Sequence, residues 1–323
     1  MSLLKSLESL KQWRASVSVG QSVVLVPTMG ALHDGHMALV KRAKAIGNKV
    51  VVSIFVNPLQ FRPSEDFNQY PRPLEADLAK CEAVGVDAVF LPTDAQMYPE
   101  GRDPEALKTV TRVIPPASLI QQLCGQSRPG HFEGVATVVM KLFQLLQPTH
   151  AVFGEKDAQQ LAVIQQMVRD LNIPVEIVPH PTVRNESGLA LSSRNQYLDS
   201  HEKRSAALLL WRVLTAIAEQ YQADSFQLQQ QPAKAVLDHF YQKHLLDMGL
   251  AQADWVVLDY LEAVDKETFC PALHLDANAK VLMAVKIGEV RLIDNLDLTA
   301  LACEPQSQSD NMPAETSSGA LLV

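Results

Sequence analysis

The sequence predicts an α/β fold, with a doubly wound parallel sheet followed by a smaller α+β C-terminal domain. Three observations predict it. Short runs of β-branched residues alternate with amphipathic segments of helix length up to about residue 180. Beyond about residue 185, two long helical patterns are followed by strands with no helix between them. The polar residues that a sheet core does not explain gather just after strand ends, where open α/β sheets bind ligands.

Residues 1–19 mix Lys5, Glu8, Lys11 and Arg14 into an amphipathic pattern and lack the apolar run of a signal peptide. Residues 22–26 and 49–56 are apolar and β-branched, and read as the first two strands. Between them Leu39, Val40, Ala43 and Ile46 recur at helical spacing, so a helix is expected over 36–46. A helix over 74–84 leads into a short strand at 87–91. After a Pro- and Gly-rich stretch come a helix at 135–146, a strand at 151–153, a helix at 158–171 and a strand at 175–178. About five parallel strands are expected, in a domain over residues 1–184. The second domain, residues 185–300, has helices at 200–221 and 232–246, then strands at 254–260, 280–285 and 290–293. Residues 301–323 are polar and expected to be a disordered tail.

The chain has 323 residues, with 28 basic and 36 acidic side chains and a formal charge of −8. That balance argues against nucleic-acid or membrane-surface partners. No uncharged apolar stretch approaches the roughly 18 residues a membrane span needs. Cys81, Cys124, Cys270 and Cys303 lie far apart with no CxxC pair, which argues against a disulfide framework or a zinc ribbon. A cytoplasmic protein is expected.

Four strand ends carry the candidate chemistry. The first runs into Pro27-Thr-Met-Gly30-Ala-Leu-His33-Asp-Gly35-His36. Its glycines permit close backbone approach, and a helix N-terminus there favours an anion such as phosphate. His33 and His36 are placed to donate Nε2–H or charge to phosphate oxygens. A solvated surface turn and a zinc site remain open, although HxxH here lacks an intervening Glu and a third ligand. Neither GxGxxG nor GxxxxGK[ST] is present.

The second end, Asn57-Pro-Leu-Gln60, offers neutral hydrogen-bonding groups for a small hydroxylated acid, or simply a loop turn. The third, Gly154-Glu155-Lys156-Asp157, reads either as a capped helix start or as a point charge for phosphate beside an acid for ribose or a magnesium-bound water. The fourth leads through Val183 to Leu191-Ser192-Ser193-Arg194, an ordinary cap or a triphosphate clamp. Arg128-Pro-Gly-His131 lies in an expected loop and suits carboxylate recognition or lid closure.

These blocks, together with Ser53-Ile-Phe-Val-Asn57, Gly134-Val-Ala-Thr137 and Leu189-Ala-Leu-Ser-Ser-Arg-Asn195, closely resemble the pantothenate synthetase family from about residue 20 to 295. The HxGH turn is shared by a wider nucleotidyltransferase superfamily; its combination with the other blocks is not. The resemblance implies a Rossmann-like N-terminal domain, a C-terminal domain that closes the site, and a homodimer. It also implies ATP-dependent condensation of pantoate with β-alanine through a pantoyl adenylate, with Mg2+ carried by ATP and no organic cofactor.

Carried over by position, His33, His36, Lys156 and Arg194 would be catalytic. ATP would meet Met29, Gly30, Ala31, Leu32, His33, Asp34, Gly35 and His36, then Gly154, Glu155, Lys156 and Asp157. Val183, Leu191, Ser192, Ser193 and Arg194 would complete its site. Pantoate would meet Pro27, Met29, Asn57, Gln60 and Gln160, and β-alanine Gln60, Arg128 and His131. Pro73 departs from the small polar residue expected there. The rival readings are a transferase that keeps the nucleotide in its product and a catalytically silent nucleotide-binding module. The first has no need of Gln60, Gln160 and the 128–132 block together; the second should have lost Lys156, Arg194 or a histidine.

Overall fold

The structure is a computed structural model, and it describes residues 1–62, 67–101 and 110–299. Six parallel strands form the larger sheet: β1 (Ser2–Leu4), β2 (Val23–Thr28), β3 (Lys49–Ile54), β4 (Ala88–Phe90), β5 (His150–Gly154) and β6 (Glu176–His180). Their order is β1-β4-β3-β2-β5-β6, so direction of travel reverses at β2, which lies between β3 and β5.

Six strands stand where about five were expected. The addition is β1, three residues paired in parallel with Ala88–Phe90. It is too short to show a period, and it is followed at once by helix α1 (Leu7–Ser16), whose pattern dominates residues 1–19.

Both faces of the sheet are covered, as its continuous valine runs require. Val24, Val26, Val50, Val52 and Val89 pack under α2 (Asp34–Ile46) and α3 (Leu74–Ala83). Leu25, Val51 and Phe90 point the other way, into a core shared with α1, α4 (His131–Leu146) and α5 (Ala158–Asp170). Val23, Val24, Leu25 and Val26 are all fully buried, so β2 is the axis of the domain.

Two helix starts differ from expectation. Helix α2 begins at Asp34 rather than His36, because His33 takes the N-cap position and an acid in the first turn suits the helix dipole. Helix α4 begins at His131, so His131 and Phe132 are helical and not in a loop; Gly130, at φ +84°, makes the turn. Pro73 precedes α3, where it offers no side-chain cap but its carbonyl accepts from Asp77 N at 3.0 Å.

The second sheet is antiparallel: β7 (Val256–Asp265), β8 (Ala279–Ile287) and β9 (Val290–Asp297) in that order. Helices α6 (His201–Ala223) and α7 (Ala233–Asp247) pack on it through Leu210, Leu214, Ile217 and Leu237. Ser200 caps α6 by accepting from Lys203 N. The expected tail, 301–323, and Cys303 fall outside the described residues. Among the described residues no helix is long and apolar enough to cross a membrane.

Candidate active site

The site forms where strand order reverses, at the carboxyl ends of β2 and β5. The turn from β2 to α2 contains two successive left-handed residues, Gly30 at φ +83° and Ala31 at φ +50°. A Cβ at Gly30 would stand 3.0 Å from both Asp77 Oδ2 and Ile54 Cγ2, a tight contact, and the left-handed φ would strain any side chain there. Asp77, 1% exposed on α3, accepts from Ala31 N at 2.8 Å and Leu32 N at 2.7 Å. Lys80, one turn later, donates to the Leu32 carbonyl.

His33 and His36 lie with ring centroids 4.1 Å apart. His36 Nδ1 accepts from the His33 main-chain N–H at 3.3 Å, which places the proton of the neutral ring on Nε2. Burial, then the ammonium groups of Lys156 and Lys80, lower the His33 pKa to about 4. Burial and the adjoining His33 ring lower His36 to about 3. In the substrate-free chain at neutral pH both rings are therefore uncharged, and what they offer a phosphate is a hydrogen bond; positive charge must come from elsewhere.

It comes from the turn after β5. Lys156 Nζ lies 3.4 Å from Asp157 Oδ1. Burial raises the Asp157 pKa, but Lys156 beside it and Arg194 farther off more than offset this and hold it below the usual carboxylate range. That carboxylate is half exposed, because it faces the water of the cleft. It makes no side-chain cap for α5. The turn is held from outside its own domain: Asn295 Nδ2 on β9 donates to the carbonyls of Glu155 at 2.9 Å and Lys156 at 3.0 Å. The adjacent Asp294, 3% exposed, takes both Arg184 nitrogens at 2.6 and 2.8 Å. Arg184 also lies over the Trp211 ring, 3.9 Å from its centroid, and roots the 184–190 hairpin. Val183 and Leu191 close that hairpin through Leu191 N to Val183 O, 2.9 Å. Ser192 Oγ then accepts from Arg194 N, and Ser193 Oγ meets Tyr70 Oη at 3.2 Å.

The amide pair after β3 is held by hydrogen bonds within the chain. Asn57 is 1% exposed, with Nδ2 bonded to Gln60 Oε1 at 3.0 Å and Gly134 O at 3.1 Å, and Oδ1 accepting from Tyr98 Oη at 2.7 Å. Its polar atoms serve the chain, and they orient the Gln60 amide so that Nε2 points to Met29 Sδ, 3.2 Å away. His131 likewise faces inward. Its Nδ1 donates to Gln60 O at 2.8 Å and its Nε2 accepts from Arg128 Nη1 at 3.1 Å. Burial and then Arg128 lower its pKa to about 3. Arg128 Nη2 donates to the same carbonyl at 3.1 Å.

A cleft of about 1050 Å³ takes in only part of this set, and His33, His36, Asn57 and Gln60 are not among the residues that line it. Arg128, Lys156, Asp157, Gln160, Ser192 and Arg194 line one side, and Asp259, Tyr260 and Arg291 of the second sheet line the other. Met29 and Gly30 border a separate cavity of about 500 Å³ with Asp77 and Ile54. Both histidines at the head of α2 feel the charge of Lys156.

Several site residues escape sequence reasoning. Asp77 had one signal, a carboxylate three residues after Leu74 and four before Cys81 on the inward face of a helix. Asp294 and Asn295 had none, nor did the group in which Asp259 takes Arg291 at 2.6 Å and Ser127 at 2.9 Å, with Cys124 and Tyr260 alongside.

Residues 2–297 match the family model described as pantoate-beta-alanine ligase. The bifunctional pantoate ligase/cytidylate kinase of Synechococcus elongatus is 51% identical over 298 residues, 92% of this chain and 53% of that protein. The chain thus spans about half the length of such curated relatives. The crystal structure of pantothenate synthetase from Thermus thermophilus superposes with a TM-score of 0.81 at 44% identity, covering 92% of this chain and 99% of that one. Pantoate-beta-alanine ligase from Francisella tularensis, solved in complex with β-γ ATP and β-alanine, gives 0.72 at 33% identity over 92% and 98%.

Proposed function

The chain belongs to the pantoate–β-alanine ligase family, and from that premise we propose that it condenses pantoate with β-alanine, using ATP and yielding pantothenate, AMP and pyrophosphate. In the first step a pantoate carboxylate oxygen attacks the α-phosphorus of ATP. The new P–O bond forms as the bond to the bridging oxygen of pyrophosphate breaks. In the second, the β-alanine nitrogen attacks the activated acyl carbon, AMP leaves with the acyl oxygen, and the amine proton passes to solvent.

The first step needs alignment and charge neutralisation more than covalent help from the protein. The observation that supports the reading most is the meeting of an Nε2–H imidazole, His36, with the field of the Lys156 ammonium at the strand-order reversal. His36 donates to a phosphate oxygen with His33 beside it, while Lys156 and Arg194 supply charge to the pentacoordinate phosphorus. Residues 154–157 receive ribose and phosphates, Val183 the adenine, and residues 191–194 cover the triphosphate. Gln60 and Gln160 grip pantoate between Pro27 and Met29, and Arg128 takes the β-alanine carboxylate. Asn57 and His131 act one step back, by holding Gln60.

Among the described residues no cluster of three His, Cys, Asp or Glu side chains is placed to hold a metal. Mg2+ carried by ATP would supply charge neutralisation at the phosphates, and Asp157 is the residue that would meet a water of that ion. We assign ATP and pantoate binding to residues 1–184 and closure to residues 185–300. The family resemblance supports a cytoplasmic homodimer.

The test follows pyrophosphate and AMP from ATP, Mg2+ and pantoate, with and without β-alanine. A single-turnover burst of pyrophosphate with pantoate alone, and AMP turnover only when β-alanine is added, is the expected result. Retention of the nucleotide in a product with another acceptor would overturn the substrate reading.

A further inference from the structure

We propose that Asp77 and Lys80 are positioning residues for the adenylation step, setting the main chain of residues 30–32 and through it the aim of the His36 imidazole. The proposal rests on the ligase reading above.

A turn can point neighbouring main-chain N–H groups to one side and make an anion-binding concavity. At Gly30 and Ala31 that concavity is already filled from within, by the two oxygens of Asp77 on Ala31 N and Leu32 N. The remaining groups of the turn are engaged as well. Gly30 N donates to Thr28 Oγ1 at 3.2 Å, His33 N to His36 Nδ1, and the Leu32 carbonyl accepts from Lys80. Every main-chain N–H from residue 30 to residue 33 therefore has a partner inside the chain.

This changes what the turn is for. Residues 30–33 do not offer N–H groups to phosphate. The donors that α2 can offer a phosphate are the N–H groups of its first turn, at Asp34 and Gly35, and His36 Nε2. The stretch ahead of them acts as a rigid arm, and α3 holds it by both polarities: a carboxylate on its N–H groups and an ammonium on its carbonyl. Burial and then the Asp77 carboxylate push the thiol of Cys81 up to about 11, as expected beside a buried negative charge. Gly30 has no side chain to keep this carboxylate away.

Asp77→Asn tests the idea at constant volume, because it replaces one acceptor oxygen by an NH2 group that faces an N–H. Pantoate-dependent ATP–pyrophosphate exchange should fall about 100-fold, as for a misplacement near 1 Å, with the pantoate KM within about twofold. Lys80→Met, which removes one bond to the same turn, should cost about tenfold. Nitrogen NMR of the substrate-free full chain supplies the second readout. The wild type should show a neutral His36 with the proton on Nε2 down to low pH, and Asp77→Asn should titrate closer to the ordinary histidine range. Cys81→Ala, buried on the same helix but outside the turn, should lower the melting temperature and leave exchange intact.

Exchange within about threefold of wild type in Asp77→Asn, or its loss with the His36 signal unmoved, would overturn the proposal. So would an equal loss in Cys81→Ala, which would make helix stability the cause. If Asp77→Asn does not fold, Lys80→Met carries the same two readouts. If the wild type shows no pantoate-dependent exchange, the ligase reading fails, and the His36 spectra still decide whether α3 aims the ring.

Discussion

Alanine at Gly134 should displace Gln60 and weaken the response to pantoate while sparing ATP. Gly134 lies on α4 against the turn 58–60, and a Cβ there would stand 2.4 Å from Leu59 O, 2.5 Å from Leu59 C and 2.8 Å from Gln60 N. All three are main-chain atoms, so no rotamer change relieves the contact. Opening 2.4 Å to the 3.0 Å floor of real contacts takes about 0.6 Å, and reaching an ordinary 3.4 Å takes about 1 Å. Helix α4 is locked on its inner face by Val135, Val138, Val139 and Leu142, so the turn is the part that moves. Moving it pulls the Gln60 carbonyl from Arg128 and His131 and stretches the bond from Asn57 to Gly134 O. A misplacement of about 1 Å at a substrate-gripping group is worth about 100-fold. Stability should fall by no more than about 2 kcal/mol, since overpacking costs about 1–3 kcal/mol and replacing a helical glycine returns up to about 1 kcal/mol. Steady-state pyrophosphate release, with pantoate and ATP varied separately, should show kcat/KM for pantoate down about 100-fold and the ATP KM within about twofold. A folded variant with unchanged kcat/KM for pantoate, or an equal loss for both substrates, would refute the reasoning.

Two further outcomes follow from the same geometry. Asn295→Ala frees the carbonyls of Glu155 and Lys156, and should slow pyrophosphate release about tenfold or more while costing roughly 1–3 kcal/mol in urea unfolding; an unchanged burst rate would show that the Lys156 turn holds itself. Acid stability has a defined sign: His33, His36 and His131 sit at about 4, 3 and 3 when folded, against 6.5 for the ordinary side chain, so unfolding takes up protons as pH falls below 6.5 and stability drops through that window. His131→Asn should remove nearly one proton of uptake near pH 5, flattening the pH dependence of urea stability by up to about 1.4 kcal/mol per pH unit, and an unaltered slope between pH 6 and 4.5 would refute the assignment of a buried neutral ring.

What the sequence made legible was whatever depends on neighbours along the chain. The valine runs of β2 and β3 and the spacing of Val40 and Ala43 on α2 state their burial locally. Strand β1 does not, since three residues carry no period and only pairing with Ala88–Phe90 makes them a strand. The site divides in the same way. His33, His36, Lys156 and Arg194 stand out because strand ends are local features, and they do fall around one reversal of strand order. The residues that aim them act on main-chain atoms far away, Asp77 across 45 and 46 residues and Asn295 across 139 and 140. A bond to a carbonyl leaves no mark on the partner's side chain. Asn57 shows the same limit: an amide at a strand end reads alike in sequence whether its polar atoms are open or, as here, bonded to Tyr98, Gln60 and Gly134.

Asp294 and Asn295 are consecutive on β9, and one holds the root of the 184–190 hairpin while the other holds the main chain at Lys156. Because the two residues adjoin on one strand, a change that shifts β9 at that point disturbs both grips together, so the hairpin root and the Lys156 turn share a single latch.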